Sequence, residues 1–96
     1  MTTYTTGTKA YSIPLPEPYH FNTGFPLLII QRENAWLVEC PAFDEYGTGD
    51  GFDETVKDLG SSIAELYELS KKRKARGHKL GQPLEDLIKL FEESTK

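Results

Sequence analysis

The chain has 96 residues, 38% hydrophobic and 27% charged, which is the size and composition of one globular domain built on one core. A chain this short buries about two-thirds of the surface its unfolded form exposes, leaving little space for a deep cofactor cavity and disfavouring large multi-step enzymes. Fifteen acidic against eleven basic side chains give a net charge of -4, which argues against a nucleic-acid partner held by bulk positive charge.

The single cysteine, Cys40, has no partner for an internal disulfide, and no basic start followed by an apolar run marks a secretion signal, so the expected location is cytoplasmic. The longest uninterrupted apolar run, Leu27 to Ile30, falls far short of the roughly 20 residues needed to cross a bilayer.

The first segment carries Pro14, Pro16 and Pro18 at alternate positions, a spacing that suits extended backbone and excludes helix. It reads as an arm over residues 1–22. Thr8 to Ile13 is expected to supply an edge strand, and Thr2 to Thr6 to be loose. Phe25 to Gln31 is a compact run rich in β-branched residues, and Ala35 to Cys40 alternates Trp36, Val38 and Cys40 with Leu37 and Glu39. These two segments, joined by the short polar Arg32-Glu33-Asn34, predict an antiparallel hairpin that stops at Pro41. A third extended piece is expected over Phe43 to Gly47.

Gly47, Gly49 and Gly51 read as a turn, and from there Phe52, Val56, Leu59, Ile63 and Leu66 recur at helical spacing. The pattern predicts one helix from about Asp53 to Ala75, stopped by Gly77, with one face on the sheet side that bears Trp36 and Val38. Gly60 lies inside this helix, where it costs about 1 kcal/mol relative to Ala unless close packing needs it. After Gly81, Pro83 at a first helical position and Leu84, Leu87, Ile88 and Phe91 predict a second, shorter amphipathic helix.

Charge is distributed unevenly along these elements. Six acids (Asp44, Glu45, Asp50, Asp53, Glu54, Asp58) against Lys57 give Asp44 to Asp58 a local charge of -5, and six bases (Lys71, Lys72, Arg73, Lys74, Arg76, Lys79) occupy residues 71–79 without an acid. Acids at the start of the long helix and bases at its end match the sign of the helix dipole. Lys71, Lys72, Arg73 and Lys74 are consecutive, so at about 100° per residue they point all round the helix, as a solvated end does; no aromatic is interleaved to stack on bases.

Signatures of catalysis and cofactor binding are absent. His20 and His78 are far apart and Cys40 stands alone, so zinc-ligand spacing is missing. Ser61 and Ser62 have no elbow or adjacent histidine. The glycine-rich stretch fits neither the dinucleotide fingerprint nor the P-loop, and its acids do not follow the EF-hand alternation. No catalytic residue, metal site or cofactor is expected.

Trp36-Leu37-Val38-Glu39-Cys40-Pro41, followed at short distance by Gly49-Asp50-Gly51-Phe52-Asp53-Glu54, resembles the HicB-like family of small antitoxins, and Phe25-Pro26-Leu27-Leu28-Ile29-Ile30 looks like that family's first strand. The resemblance covers about Phe25 to Glu68. The chain departs from the family pattern at Gly51, where a Thr N-cap is usual, and the residues after Gly77 are too few for a helix-turn-helix module.

The resemblance implies a partial RNase-H-like fold and a non-catalytic protein that sequesters a small basic ribonuclease toxin of the HicA type. Asp44, Glu45 and Asp50 are then the candidate partner contacts, because an acidic surface complements a basic enzyme. The expected fold class is α+β: an antiparallel three- to four-stranded sheet with one long helix packed on it, plus a short C-terminal helix. The α+β domain is placed at 23–78 and a helical extension at 79–96. Uncovered edge strands favour a homodimer. The alternative is a dimeric nucleic-acid-associated regulator that uses the basic segment 71–79, with Lys71, Lys72, Arg73, Lys74 and Arg76 as contacts.

Overall fold

The structure, a computed structural model, describes residues 3–5 and 9–94. Its elements in chain order are β1 (Thr3–Thr5), β2 (Ala10–Tyr11), β3 (Phe25–Pro26), β4 (Leu28–Arg32), β5 (Ala35–Cys40), β6 (Glu45–Gly49), α1 (Phe52–Ala75) and α2 (Gln82–Ser94). β1, β4, β5 and β6 form one antiparallel sheet in that order, and β2 pairs with β3 in a second, two-stranded one. The molecule is therefore α+β, with the expected meander and long helix.

Three boundaries differ from the sequence reading. Phe25 to Gln31 is not one strand. It breaks at Leu27, so that Phe25 and Pro26 pair with Tyr11 and Ala10 while Leu28 begins the pairing with β5. The edge strand expected over Thr8 to Ile13 is limited to Ala10–Tyr11 among the described residues, and Thr3–Thr5, expected to be loose, runs antiparallel to β4. The third meander strand starts at Glu45 rather than Phe43. Residues 41–44 form a turn in which Phe43 N–H donates to the Cys40 carbonyl and Asp44 takes a positive φ of 52°.

Strand alternation sorts the sheet into two faces. Val38 is fully buried, and its cross-strand partners Ile29 and Gly47 are buried with it. α1 lies over this side, where Val56, Leu59 and Ile63 close the core. Trp36 shares that face and meets Phe52, the first residue of α1, edge-on at 5.9 Å between ring centres. The helix approaches β6 so closely that a β-carbon on Gly47 would lie 2.4 Å from both the Leu59 nitrogen and the Thr55 carbonyl oxygen. Gly47 and Gly49, read from sequence as a turn, are thus strand residues kept bare for helix packing.

α1 is continuous through Gly60. At 1.5 Å per residue it is about 36 Å long, which outreaches the sheet. Its last buried residue is Ser70, and residues 71–79 are all exposed. It ends in a Schellman arrangement: His78 N–H donates to the Arg73 carbonyl, Gly77 N–H to the Lys74 carbonyl, and Gly77 holds φ 84°.

The proline arm and α2 are built into the same core. Ile13 is buried from the arm, and Leu87, Ile88 and Phe91 from α2. Phe91 stacks on Tyr67 at 4.3 Å and meets Tyr19 and Phe21 edge-on at 5.3 and 5.2 Å. One ring cluster therefore joins arm, long helix and terminal helix.

Candidate functional site

The acidic stretch folds into the rim where β6 runs beside the first turns of α1. Asp44 is exposed in the turn before β6. Glu45, the first residue of β6, is half-buried on the helix side. Burial, and then the nearby carboxylates of Asp44 and Glu65, push its carboxyl above the ordinary range. Asp50 follows the far end of the strand, exposed, and its backbone N–H donates to Glu54 Oε2 at 3.4 Å.

Five steps along a strand at about 3.3 Å each separate Glu45 from Asp50 by roughly 17 Å. The three acids selected from sequence therefore occupy two ends of one edge and do not converge on a point. Two residues that were not selected fill the interval. Glu54 and Asp58 lie one helical turn apart on α1, and Asp58 Oδ2 accepts the backbone N–H of Thr48 at 2.9 Å. The signal for them was the pair of bare glycines, which bring this helix face against β6. The rim is thus a continuous acidic border, with Asp44 and Glu45 at one end and Asp50, Glu54 and Asp58 towards the other.

The basic segment lies elsewhere, at the projecting end of α1. Lys71, Lys72, Arg73, Lys74 and Arg76 are all exposed. Lys74 Nζ is engaged by Glu85 Oε2 of α2 at 2.8 Å, and this bond and charge hold the ammonium above its ordinary pKa. Lys71 Nζ sits 5.1 Å from the centre of the Tyr67 ring. No single stripe of bases forms, as the helical geometry requires.

His20 and His78 are exposed and distant from Cys40 in the chain, and the Cys40 thiol is fully buried, with burial raising its pKa. Among the described residues no group of three or more His, Cys, Asp or Glu side chains is placed to hold a metal ion. Among the same residues no helix is long and apolar enough to cross a membrane. No family model matches the chain, and neither a curated protein nor a solved structure shows significant similarity to it.

Proposed function

We propose that this protein is a non-catalytic, cytoplasmic protein-binding module related to the HicB-like antitoxins, which holds a small basic ribonuclease of the HicA type against its acidic rim. The observation that carries this reading is the path of the motif through the fold. β5 ends at Cys40-Pro41, β6 returns beside it, and the Gly49-Asp50-Gly51 connection starts the helix that crosses the meander. Two of the three segments that carry the family resemblance, Trp36 to Pro41 and Gly49 to Glu54, thus follow one another through β5, the end of β6 and the start of α1, next to the acidic edge.

Charge supplies the mechanism. A rim of local charge -5 complements a basic RNA-cleaving surface, speeds the encounter and withholds that surface from RNA. The test is to search the adjacent reading frames for a short basic protein and, with such a protein co-expressed, to assay complex formation and RNA cleavage. Replacing Asp44, Glu45 and Asp50 by Lys is expected to weaken the complex and release the ribonuclease. Unchanged affinity would remove those carboxylates from the interface.

A nucleic-acid role for the basic tip is favoured by one observation, the exposure of every residue from 71 to 79, at and just beyond the end of α1. It predicts a DNA or RNA shift at low salt that fades as salt rises and is lost when Lys71, Lys72 and Arg73 are neutralised. No shift at about 50 mM salt would end that reading.

A further inference from the structure

We infer that the exposed face of α1 is a docking surface for a second copy of this chain, the two helices lying antiparallel about a two-fold axis at Glu65. Glu54, Asp58, Ser61, Glu65, Leu69 and Lys72 recur at spacings of four, three, four, four and three, and Arg76 follows four later at the helix end. At about 100° per residue these positions fall within about 80° of one another, so they form one stripe. All seven residues are exposed. The stripe lies wholly within the described residues, with the arm on one flank at Gly60 and β6 on the other at Asp58.

The spacing reads the same from either end, with Glu65 in the middle. An antiparallel copy therefore sets each position against the one equally far beyond Glu65. Asp58 faces Lys72, Glu54 faces Arg76 and Ser61 faces Leu69, and symmetry makes each pair twice. A second copy is the occupant because the charge order of the stripe is its own complement when reversed.

Charge also selects the orientation and the register. Lys72 and Arg76 form no ion pair among the described residues, whereas Lys74 is held by Glu85. A parallel copy would set Glu54, Asp58 and Lys72 each against its own equivalent. Sliding an antiparallel copy one turn in one direction sets Asp58 against Glu68, and in the other direction it carries Glu54 past the bases to Leu80. Of these registers only the one centred on Glu65 gives both acids a base. Its single like-charge meeting is Glu65 with its equivalent on the axis.

Leu69 is 50% exposed and, with Pro16, Tyr19, Ser61 and Ala64, borders a hollow of about 510 Å³ between the arm and α1. The antiparallel copy lays its own Leu69 over Ser61 at this hollow, which covers the exposed leucine of each chain. The seam is about 33 Å long and one helix diameter, about 10 Å, wide. It belongs to the small interfaces, in which charge fixes partner and register while affinity stays modest. No strand edge takes part.

The test is sedimentation equilibrium of the full chain, up to about 500 µM, because a contact of this size is expected to be weak. Rapidly reversible dimers and nothing larger should form at about 0.01 M salt and fade by about 0.5 M, as screening shortens the reach of the exposed pairs. Glu54→Arg and Arg76→Glu each reverse two symmetric pairs and should weaken the dimer about five- to tenfold, and the double exchange should recover it to within a few-fold. Glu65→Gln should tighten it a few-fold by removing the like-charge meeting. Glu65→Cys stands on the axis and should cross-link through a disulfide under mild oxidation, while Lys57→Cys, about 24 Å along the helices from its equivalent, should not. The native thiol, Cys40, is fully buried and does not compete. Circular dichroism checks that each variant is folded. A chain that stays monomeric at low salt, a dimer indifferent to salt, a double exchange that fails to rescue, or Lys57→Cys cross-linking as readily as Glu65→Cys overturns the proposal.

Discussion

The carbonyl oxygen of Pro14 lies directly over Gly60, so close that a β-carbon on Gly60 would stand 1.8 Å from it. The contact fixes the arm across α1 and seats Ile13 in the core beside it. In a free helix, Gly60→Ala would gain about 1 kcal/mol of propensity. Here the backbone of the arm has to move, and overpacking of this kind costs about 1–3 kcal/mol before the loss of Ile13 burial is counted. Gly60→Ala is therefore expected to lower the urea midpoint, and a raised midpoint would show that the arm does not bind there. Gly51→Ser is the control. A β-carbon on Gly51 meets nothing within 4 Å, and its extended backbone suits an N-cap, so a gain of a few tenths of a kcal/mol is expected.

Phe91 connects three parts of the chain through its ring contacts with Tyr19, Phe21 and Tyr67. It is 1% exposed. Phe91→Ala should cost about 3–5 kcal/mol, a large share of the roughly 5–14 kcal/mol that a domain of this length has. Chemical denaturation followed by near-ultraviolet circular dichroism measures it. A loss below about 1 kcal/mol would mean that α2 and the arm fold without this ring.

The meander, the long helix and the terminal helix were legible because each leaves a periodic trace: Trp36, Val38 and Cys40 at every second residue, and Val56, Leu59 and Ile63 at every third or fourth. The face that Trp36 and Val38 share was legible for the same reason. Gly47 and Gly49 were misread because a bare strand residue under a helix has the same local signature as a turn, and only the tertiary contact distinguishes them. Gly60 shows the same limit, since its partner is Pro14 in the arm. The acidic rim was half legible. Its charge is plain in the sequence, but the roles of Glu54 and Asp58 depend on which side of α1 meets β6.

Tyr19 donates its hydroxyl proton to Glu68, and this bond, then burial and the charge of Glu68, pushes the phenol up to about 12 from an ordinary 10. The folded-state value is raised, so the contribution is whole below the unfolded value of 10 and is lost as pH climbs through about 12. Stability should fall over that window, and Tyr19→Phe should flatten the fall. Urea midpoints measured across the alkaline range check this, with phenolate absorbance reporting the ionisation directly. An unchanged slope in Tyr19→Phe would place the sensitivity on another group.

Glu45 obeys the same sign at the acidic end. Burial first, then Asp44 and Glu65, raise its carboxyl above the ordinary 4.5. The protonated form is favoured in the folded chain, so its contribution is whole below the unfolded value and is lost as pH rises through the folded one. At neutral pH the charged Glu45 is a liability. Glu45→Gln is expected to raise stability at neutral pH and to remove part of the decline between acid and neutral. Equal stability of the two proteins at neutral pH would show that the carboxylate is well solvated.

Asp58 completes the exposed edge of the sheet. The Thr48 N–H points away from β5 and is taken by Asp58 Oδ2 at 2.9 Å, so one of the outward-facing amides of β6 is not free to recruit another strand. Such a bond at the surface is worth about 0.5–1.5 kcal/mol, and Asp58→Ala should cost that much in urea denaturation. It should also increase slow association at high concentration, because removing the carboxylate bares the amide and takes away a repelling charge. Asp58→Asn separates the two effects. Its side-chain oxygen can still accept from Thr48, so it should keep most of the stability while losing the charge, and association that rises equally in both variants would assign the protection to charge rather than to the hydrogen bond.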